Sequence, residues 1–286
     1  MLHSDIRETG DTAMNLPFLD PHFHAYRRDT PMVNNSWGSL DREATVEQAM
    51  EVFDRFGIAF AVLATSAEYG LNNDYFADAL ARYPNLRATG NLPLDVTAAD
   101  IARLSGQGFC GTRFLWRHLE VSPDPFDDDH QRMMRACADA GWHVHFTDRA
   151  DRIDRTIRAI EAAGAAVIVD HMGMVDSADG ANDPGFRAVL DAVGRGNTWV
   201  KLSGAFRFKV PGCADAQAAA VVAAGGRERV MWCSDWPFVK YRDTMTYAEA
   251  IGYLDRWVPD AEMKKRIGGD TALAFFFPEK VAPAAA

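Results

Sequence analysis

Two histidine pairs have the spacing that places both side chains on one face of a β-strand. His22 and His24 follow an apolar run in LPFLDPHFHAY, and His143 and His145 lie in GWHVHFTD. Residues two apart in a strand point the same way, so either pair could bind one metal ion or one substrate. Two buried, hydrogen-bonded structural histidines would produce the same pattern, so the spacing alone leaves both interpretations open.

The second pair divides by its position in the predicted strand. His145 and Thr147 share a face near the carboxyl end, and Val144 and Phe146 form the opposite, apolar face. An apolar face packs on helices and leaves the histidine face directed inward. We therefore predict His145 as a site residue and Thr147 as a substrate contact, and we interpret His143 as an interior polar group with a hydrogen-bond partner.

Two later strands also end in side chains that can do chemistry. His171 closes the run VIVDHMG, which is typical of a parallel strand buried on both faces. Asp235 lies in VMWCSDWPF between Trp232 and Trp236. Desolvation by indoles raises the pKa of a carboxylate and nearby cations lower it, a balance found where a general base is poised. The alternatives are a hydrogen-bonded rim histidine and an aspartate that caps the following segment.

Three arginines on or just after strands suggest that the substrate is an anion. They are Arg113 in GTRFLWR, Arg117 in the same segment, and Arg207 in SGAFR. A guanidinium group binds a carboxylate through paired hydrogen bonds. Ordinary surface salt bridges are the alternative, and this alternative is stronger for Arg117 than for Arg113.

Several common nucleophiles are missing from the sequence. It contains no G-x-S-x-G elbow, no phosphate-binding P-loop and no cysteine visibly paired with a base. Water activated by Asp235 is therefore the expected nucleophile.

Short β-rich runs alternate with amphipathic helical segments along the chain. Three of these helical segments end at Gly57, Gly141 and Gly164, as suits a helix C-cap. Eight such units predict an α/β fold of the (β/α)8 barrel type, and an open doubly wound sheet is less favoured because no G-x-G-x-x-G follows the first strand. The predicted strands are 16–24, 59–65, 86–93, 109–116, 143–147, 165–173, 198–206 and 229–237.

Polar side chains cluster at the carboxyl ends of these strands. In a barrel those ends converge on one face, where active sites lie. The residues concerned are His22, His24, Arg113, His145, Thr147, Asp170, His171, Arg207 and Asp235.

Composition limits the classes of partner. The 286 residues carry a formal net charge of -10, which argues against a nucleic-acid or anionic-membrane surface. The four cysteines form no C-x-x-C pair, the polar start of the chain has no secretory h-region, and no apolar run has transmembrane length. We expect a cytoplasmic protein with free thiols, one domain over residues 1–286, and flexible ends at 1–15 and 281–286. The oligomeric state is left open.

Taken in order, these motifs resemble the amidohydrolase superfamily, in the branch of the 2-pyrone-4,6-dicarboxylate, sugar-lactone and sulfomuconolactone hydrolases. The resemblance covers about residues 17–277 and has one motif on each of five strands. The motifs are D-x-H-x-H at 20–24, GTRF at 111–114, GWHV at 141–144, VIVDHMG at 167–173 and VMWCSDWP at 230–237.

The resemblance implies a distorted (β/α)8 barrel and roles for individual residues. Asp235 would activate water to attack a lactone carbonyl that His22, His24 and His171 surround, and Arg113 and Arg207 would hold substrate carboxylates. The dicarboxylate lactonase is metal-independent. Other branches bind one zinc or manganese ion through the residues that match His22, His24, His145, His171 and Asp235.

The sequence departs from the dicarboxylate lactonase at three positions, His145, Thr147 and Arg117. His145 and Thr147 replace a valine and a tyrosine on strand five, and His145 falls where the mononuclear branches place a metal ligand. Arg113 on strand four offers no bridge between two ions, which disfavours a binuclear site. Arg117 is out of register with the second strand-four arginine, so the match does not extend to dicarboxylate specificity.

We therefore expect an enzyme that hydrolyses a lactone of a carboxylated or polyhydroxylated acid, with no cofactor or with one divalent metal. A metal-dependent decarboxylase or hydratase that acts on an unsaturated or aromatic acid is the first alternative. A non-catalytic binding barrel is the second, and the set of His22, His24, His171 and Asp235 argues against it.

Overall fold

Eight short parallel strands form a barrel in which each strand pairs with the next one along the chain. The computed structural model describes residues 17–33 and 42–281. The predicted (β/α)8 barrel is confirmed. The strands are β1 (Leu19–Phe23), β2 (Phe60–Leu63), β3 (Leu86–Gly90), β4 (Phe109–Leu115), β5 (His143–Thr147), β6 (Ala166–Val169), β7 (Thr198–Leu202) and β8 (Val230–Trp232).

Helices between the strands pack their apolar faces on the outside of the barrel. The first begins at a capping box on Thr45, buries Val46, Ala49 and Phe53, and ends at Gly57, whose φ of 74° is the left-handed conformation expected of a glycine cap. Gly141 and Gly164 are also left-handed, one residue after the caps Ala140 and Ala163. The helices are α1 (Val46–Phe56), α2 (Asp74–Arg82), α3 (Ala98–Gly106), α4 (Asp128–Asp139), α5 (Ile153–Ala162), α6 (Pro184–Arg195), α7 (Cys213–Gly225), α8 (Tyr247–Trp257), α9 (Ala261–Lys265) and α10 (Thr271–Phe276).

The barrel is distorted where β8 meets β1. There the closure lies beyond the end of β8: Asp235 N donates to His22 O at 3.0 Å, and His24 N donates to Trp236 O at 2.7 Å. The buried carboxylate of Asp20 reinforces this seam by accepting hydrogen bonds from the Ser234 backbone and hydroxyl, the His22 backbone and the Tyr247 hydroxyl. The seam therefore sets the position of His22 relative to Asp235.

Seven of the eight strands end earlier than the sequence predicts, by three residues or more at β3, β6, β7 and β8. β6 stops at Val169 and β8 at Trp232, against predicted ends at 173 and 237. The chain then turns through left-handed backbone conformations, with φ values of 52° at His171 and 64° at Asp235. Both side chains thus lie on strained loops just past the strand ends, a conformation that non-glycine residues keep only when their surroundings hold it.

Apolar side chains fill the amino-terminal end of the barrel. Phe18, Val62, Ile168 and Met231 pack there with α10, whose Phe276 ring lies 5.1 Å from the ring of His143. His143 lies buried at this apolar end, but its Nε2 atom has no hydrogen-bond partner among the described residues, so the prediction of a partner was wrong. The residues proposed as catalytic lie at the opposite, carboxyl end of the strands.

The remaining expectations concern the cysteines, membrane segments and chain ends. All four cysteines are free. Within the described ranges, the helices are too short or too polar to cross a bilayer. The ends expected to be flexible, apart from Val281, lie outside the described residues.

We predict that Asp20→Ala lowers the free energy of unfolding by about 3 kcal/mol, because four donors at the seam lose their buried acceptor. Urea denaturation at pH 7.5 measures the change. The control is Asp29→Ala, which removes an exposed ion pair with Arg27 and should cost less than about 1 kcal/mol. Equal stability losses in the two variants would contradict this role for Asp20.

Candidate active site

Asp235 is the buried centre of the site. Its side chain is 1% exposed, and its Oδ2 atom accepts hydrogen bonds from Nε and Nη2 of Arg207, each at 2.7 Å. Its Oδ1 atom finds no hydrogen-bond partner among the residues that the structure describes. Asp235 therefore has one oxygen fixed by an arginine and one oxygen open.

Three imidazoles surround the open oxygen. The Nε2 atoms of His24, His171 and His22 lie 3.5, 3.8 and 3.9 Å from Asp235 Oδ1. His22 and His24 point the same way, as their spacing predicts, and their Nε2 atoms are 3.1 Å apart. The structure thus brings together the four residues that the sequence proposes as catalytic, and we call them the Asp235 site.

Opposing influences act on the pKa of Asp235. Burial raises it, but the charge of Arg207 and the neighbouring His171 hold it well below the usual range of a carboxyl. Burial also lowers the pKa of His171 to about 4, against an opposing effect of Asp235. At neutral pH the site therefore holds an ionised Asp235 beside a neutral His171.

Hydrogen bonds to the Nδ1 atoms, the nitrogens that face away from Asp235, hold the three imidazole rings in place. His24 Nδ1 is 2.8 Å from the carbonyl oxygen of Ala64, which can only accept, so this nitrogen carries a proton. His171 Nδ1 is 2.8 Å from the hydroxyl of Ser203. His22 Nδ1 is 2.8 Å from Nζ of Lys201.

Lys201 forms a second cluster that sequence reasoning missed. Its side chain is fully buried on β7, and Nζ lies 2.8 Å from His22 Nδ1, 2.9 Å from His145 Nδ1 and 3.2 Å from Asp170 Oδ1. Burial lowers the pKa of Lys201, and the charge of Asp170 opposes this effect. The signal was a lone lysine inside the apolar strand TWVKL, because lysine is almost never fully buried without a partner. We call these four residues the Lys201 cluster.

His145 belongs to the Lys201 cluster. Its Nδ1 atom faces Lys201 and lies 3.6 Å from Asp170 Oδ1. His22, by contrast, joins both clusters: one ring nitrogen faces Lys201 and the other faces the Asp235 site. A ligand role in a mononuclear site would require His145 to lie with Asp235, and the structure does not group these two residues.

A cavity of about 300 Å³ opens above the Asp235 site. Arg113, Arg117, Arg207 and Thr147 all line it, as the sequence proposes. Two of these arginines also make hydrogen bonds within the protein. Arg207 donates to Asp235, and Arg113 donates from Nε to Asp170 and from Nη1 to the carbonyl oxygen of Thr65. Among the described residues, the side chain of Arg117 makes one long hydrogen bond, from Nη1 to the Asp148 carbonyl at 3.4 Å, so it keeps the most donors for a bound anion. The cavity walls also include Tyr26, Glu68 and His118.

The resemblance allows either no metal or one divalent metal, and the donor atoms provide a test of fit. His22, His171 and Asp235 present ligand atoms within 4.8 Å of one another, a spacing compatible with one ion. Two features oppose an ion. Lys201 lies against His22 Nδ1, and the two carboxylates Asp170 and Asp235 already face three cations, Lys201, Arg113 and Arg207. Metal-bound histidines normally donate their second nitrogen to an acceptor, and an ammonium group accepts nothing. On this chemistry the residues do not fit a metal.

Comparisons with known proteins agree with the fold. The sequence profile of the amidohydrolase family matches residues 19–277. A 4-sulfomuconolactone hydrolase of Rhizobium radiobacter is 24% identical over 242 residues, which cover 82% of this chain and 81% of the relative. A 2-pyrone-4,6-dicarboxylate hydrolase of Comamonas testosteroni is 24% identical over 255 residues, 84% of this chain and 83% of the relative.

A solved structure extends the likeness to three dimensions. A Pseudomonas putida protein, described as a candidate 2-pyrone-4,6-dicarboxylic acid hydrolase, superposes with a TM-score of 0.82 at 26% identity. The alignment covers 93% of this chain and 98% of that protein. The chain belongs to the amidohydrolase family. It is a hydrolase built on the barrel of that family, as the sequence motifs indicated.

The buried histidines predict sensitivity to acid. Burial lowers the pKa of His143 to about 3 and of His171 to about 4, from a usual value of 6.5, and lowers those of His22 and His145 well below that value. The unfolded chain therefore binds more protons below pH 6.5, and the folded state loses stability as the pH falls. Each histidine costs roughly 2 kcal/mol at pH 5.

We expect the free energy of unfolding in urea to fall by several kcal/mol between pH 7.5 and pH 5. Asp20 opposes this trend. Burial raises its pKa to about 6, so the folded state gains a proton at Asp20 as the pH falls and is stabilised by it. This single carboxyl acts against four histidines. His143→Gln, outside the Asp235 site, should reduce the pH dependence by one histidine's share. A free energy of unfolding that stays constant over this interval would rule out neutral buried histidines.

Proposed function

We propose that this protein hydrolyses a lactone of a carboxylated or polyhydroxylated organic acid, with water activated by Asp235. The observation that carries the proposal is Asp235 Oδ1, a buried carboxylate oxygen that has no hydrogen bond within the described part of the chain and faces the Nε2 atoms of His22, His24 and His171. A base that is ionised, desolvated and open at one oxygen is suited to take a proton from water. The names of the relatives, hydrolases of sulfomuconolactone and pyrone dicarboxylate, support a lactone as the substrate class.

The reaction then has two proton transfers through the same carboxylate. Asp235 Oδ1 takes a proton from water while the water oxygen attacks the lactone carbonyl carbon, and N–H groups among the three imidazoles stabilise the oxyanion. The ring C–O bond breaks as the carbonyl reforms, and Asp235 returns its proton to the leaving oxygen. Donors aimed at a developing oxyanion contribute about 3 kcal/mol each.

Arg207 suits this cycle because it holds Asp235 Oδ2 with two hydrogen bonds. The guanidinium keeps the pKa of Asp235 low, so the resting carboxylate is ionised at neutral pH, and the same low pKa makes it a weaker base. The same low pKa makes the protonated intermediate a strong acid, which favours proton return to the leaving oxygen.

The alternative of a metal-dependent decarboxylase or hydratase has less support. It requires an ion at the Asp235 site with His145 among its ligands, and His145 contacts Lys201 in the other cluster. The geometry therefore favours hydrolysis without a metal. We further propose a small anionic substrate and a cytoplasmic location, which the free cysteines and the cavity arginines support.

We predict that Asp235→Asn lowers kcat/KM by at least about 1000-fold, because the amide cannot take a proton from water. A pH-indicator assay over a panel of lactones, run first with the wild-type chain, measures the loss. Asp95→Asn, at an exposed position, should leave the rate unchanged. Hydrolysis by Asp235→Asn at a rate near wild type would refute the mechanism.

We predict that Arg117→Met raises KM for a carboxylated lactone by about 10- to 100-fold and changes kcat much less, because Arg117 has donors free to hold a substrate carboxylate. The same variant should not change KM for a neutral lactone. Arg103→Met, at an exposed arginine, is the control. Equal increases in KM for both lactones would show that Arg117 does not recognise a carboxylate.

A further inference from the structure

We propose that Lys201 is a positioning residue that keeps the proton of His22 on Nε2. His22 then acts as a hydrogen-bond donor facing Asp235, and it is unable to bind a metal ion through that nitrogen. The donor role of His22 rests on the proposed lactone hydrolysis; the location of the proton does not.

The contacts of Lys201 Nζ support the first step. An ammonium group has three N–H donors and no acceptor. Around Nζ lie the three atoms His22 Nδ1 at 2.8 Å, His145 Nδ1 at 2.9 Å and Asp170 Oδ1 at 3.2 Å. A proton on His22 Nδ1 would point at the ammonium group, so Nδ1 is the acceptor and the single proton of the neutral ring is on Nε2.

The opposite side of His22 supports the same assignment independently. The Ala64 carbonyl fixes the proton of His24 on Nδ1, which leaves His24 Nε2 with a lone pair when the ring is neutral. His22 Nε2 lies 3.1 Å from this atom, and one of the two nitrogens must donate. A proton on His22 Nε2 satisfies the contact. The hydrogen bonds then run in one direction, from Lys201 through His22 to His24 and on to Ala64.

Asp170 offers the competing arrangement. Its Oδ1 atom is 3.2 Å from His22 Nδ1 and could accept a proton from it, which would free Nε2 for a metal. Lys201 Nζ is nearer to Nδ1, at 2.8 Å, and it also lies 3.2 Å from Asp170 Oδ1, the atom that would accept this proton. Lys201 therefore decides whether His22 donates a hydrogen bond from Nε2 or offers Nε2 to a metal ion.

The first experiment reads the tautomer of His22 in the wild-type chain. Protein labelled with ¹⁵N at histidine is observed by long-range ¹H–¹⁵N correlation at pH 7.5, and His22→Gln assigns the resonance. We expect the proton on Nε2. A proton on Nδ1 overturns the proposal, and this reading requires neither a substrate nor a variant of Lys201.

The second experiment measures metal binding. Lys201→Met removes the ammonium group, so His22 can donate from Nδ1 to Asp170 and present Nε2 as a ligand. We expect this variant to bind Zn²⁺ at least about 10-fold more tightly than wild type by calorimetry, with the His22 signal moved to the Nδ1–H form. Lys209→Met, at an exposed lysine after β7, should bind as wild type does.

The outcomes separate this proposal from the proposed function. Equal Zn²⁺ affinity in wild type and Lys201→Met, in folded protein, overturns the role of Lys201 whatever the enzyme hydrolyses. If Lys201→Met does not fold, the wild-type tautomer decides. An Nε2 proton on His22 in a protein that hydrolyses no lactone would support this inference and refute the function.

Discussion

The burial of two carboxylates inside the barrel is the constraint on which the site depends. Asp170 and Asp235 are both almost fully excluded from solvent, and an unpaired buried charge costs several kcal/mol. Arg113 and Lys201 compensate Asp170, and Arg207 compensates Asp235. These cations come from β4, β7 and the loop that follows β7, so the charges can be paired only in the closed barrel. Stability and the proposed catalysis therefore depend on the same contacts.

The Lys201 cluster and the Asp235 site share His22, and this shared residue sets the direction of the hydrogen bonds between them. Lys201 acts on one nitrogen of the ring, and Asp235 and His24 lie near the other. A cation in the Lys201 cluster thereby influences which atoms can face a substrate in the Asp235 site. Three cations, Lys201, Arg113 and Arg207, face the two carboxylates Asp170 and Asp235 in a protein whose formal net charge is -10. Such an arrangement suits an anionic substrate and an oxyanion more than it suits a metal cation.

Much of the fold and part of the site could be predicted from periodicity and position. Alternating strands and helices predicted the barrel, and the ends of the strands predicted that His22, His24, His171 and Asp235 would meet. Lys201 was missed because its strand was interpreted as an apolar run, although the lone lysine inside TWVKL is a signal for a buried and paired cation. The ends of β6 and β8 were placed too late because each apolar run was extended into the following turn, where His171 and Asp235 take left-handed backbone conformations.

The sequence by itself determined the order of the strands, the residues at their carboxyl ends and the family to which the chain belongs, since these depend on local pattern and motif. Only the tertiary structure decided how those residues are grouped. It placed His145 with Lys201 and Asp170, assigned Arg113 and Arg207 to protein carboxylates, and left Arg117 with free donors. The physical reason is that charge pairing and hydrogen-bond direction depend on distances of about 3 Å between strands far apart in the chain, and no local pattern encodes such distances.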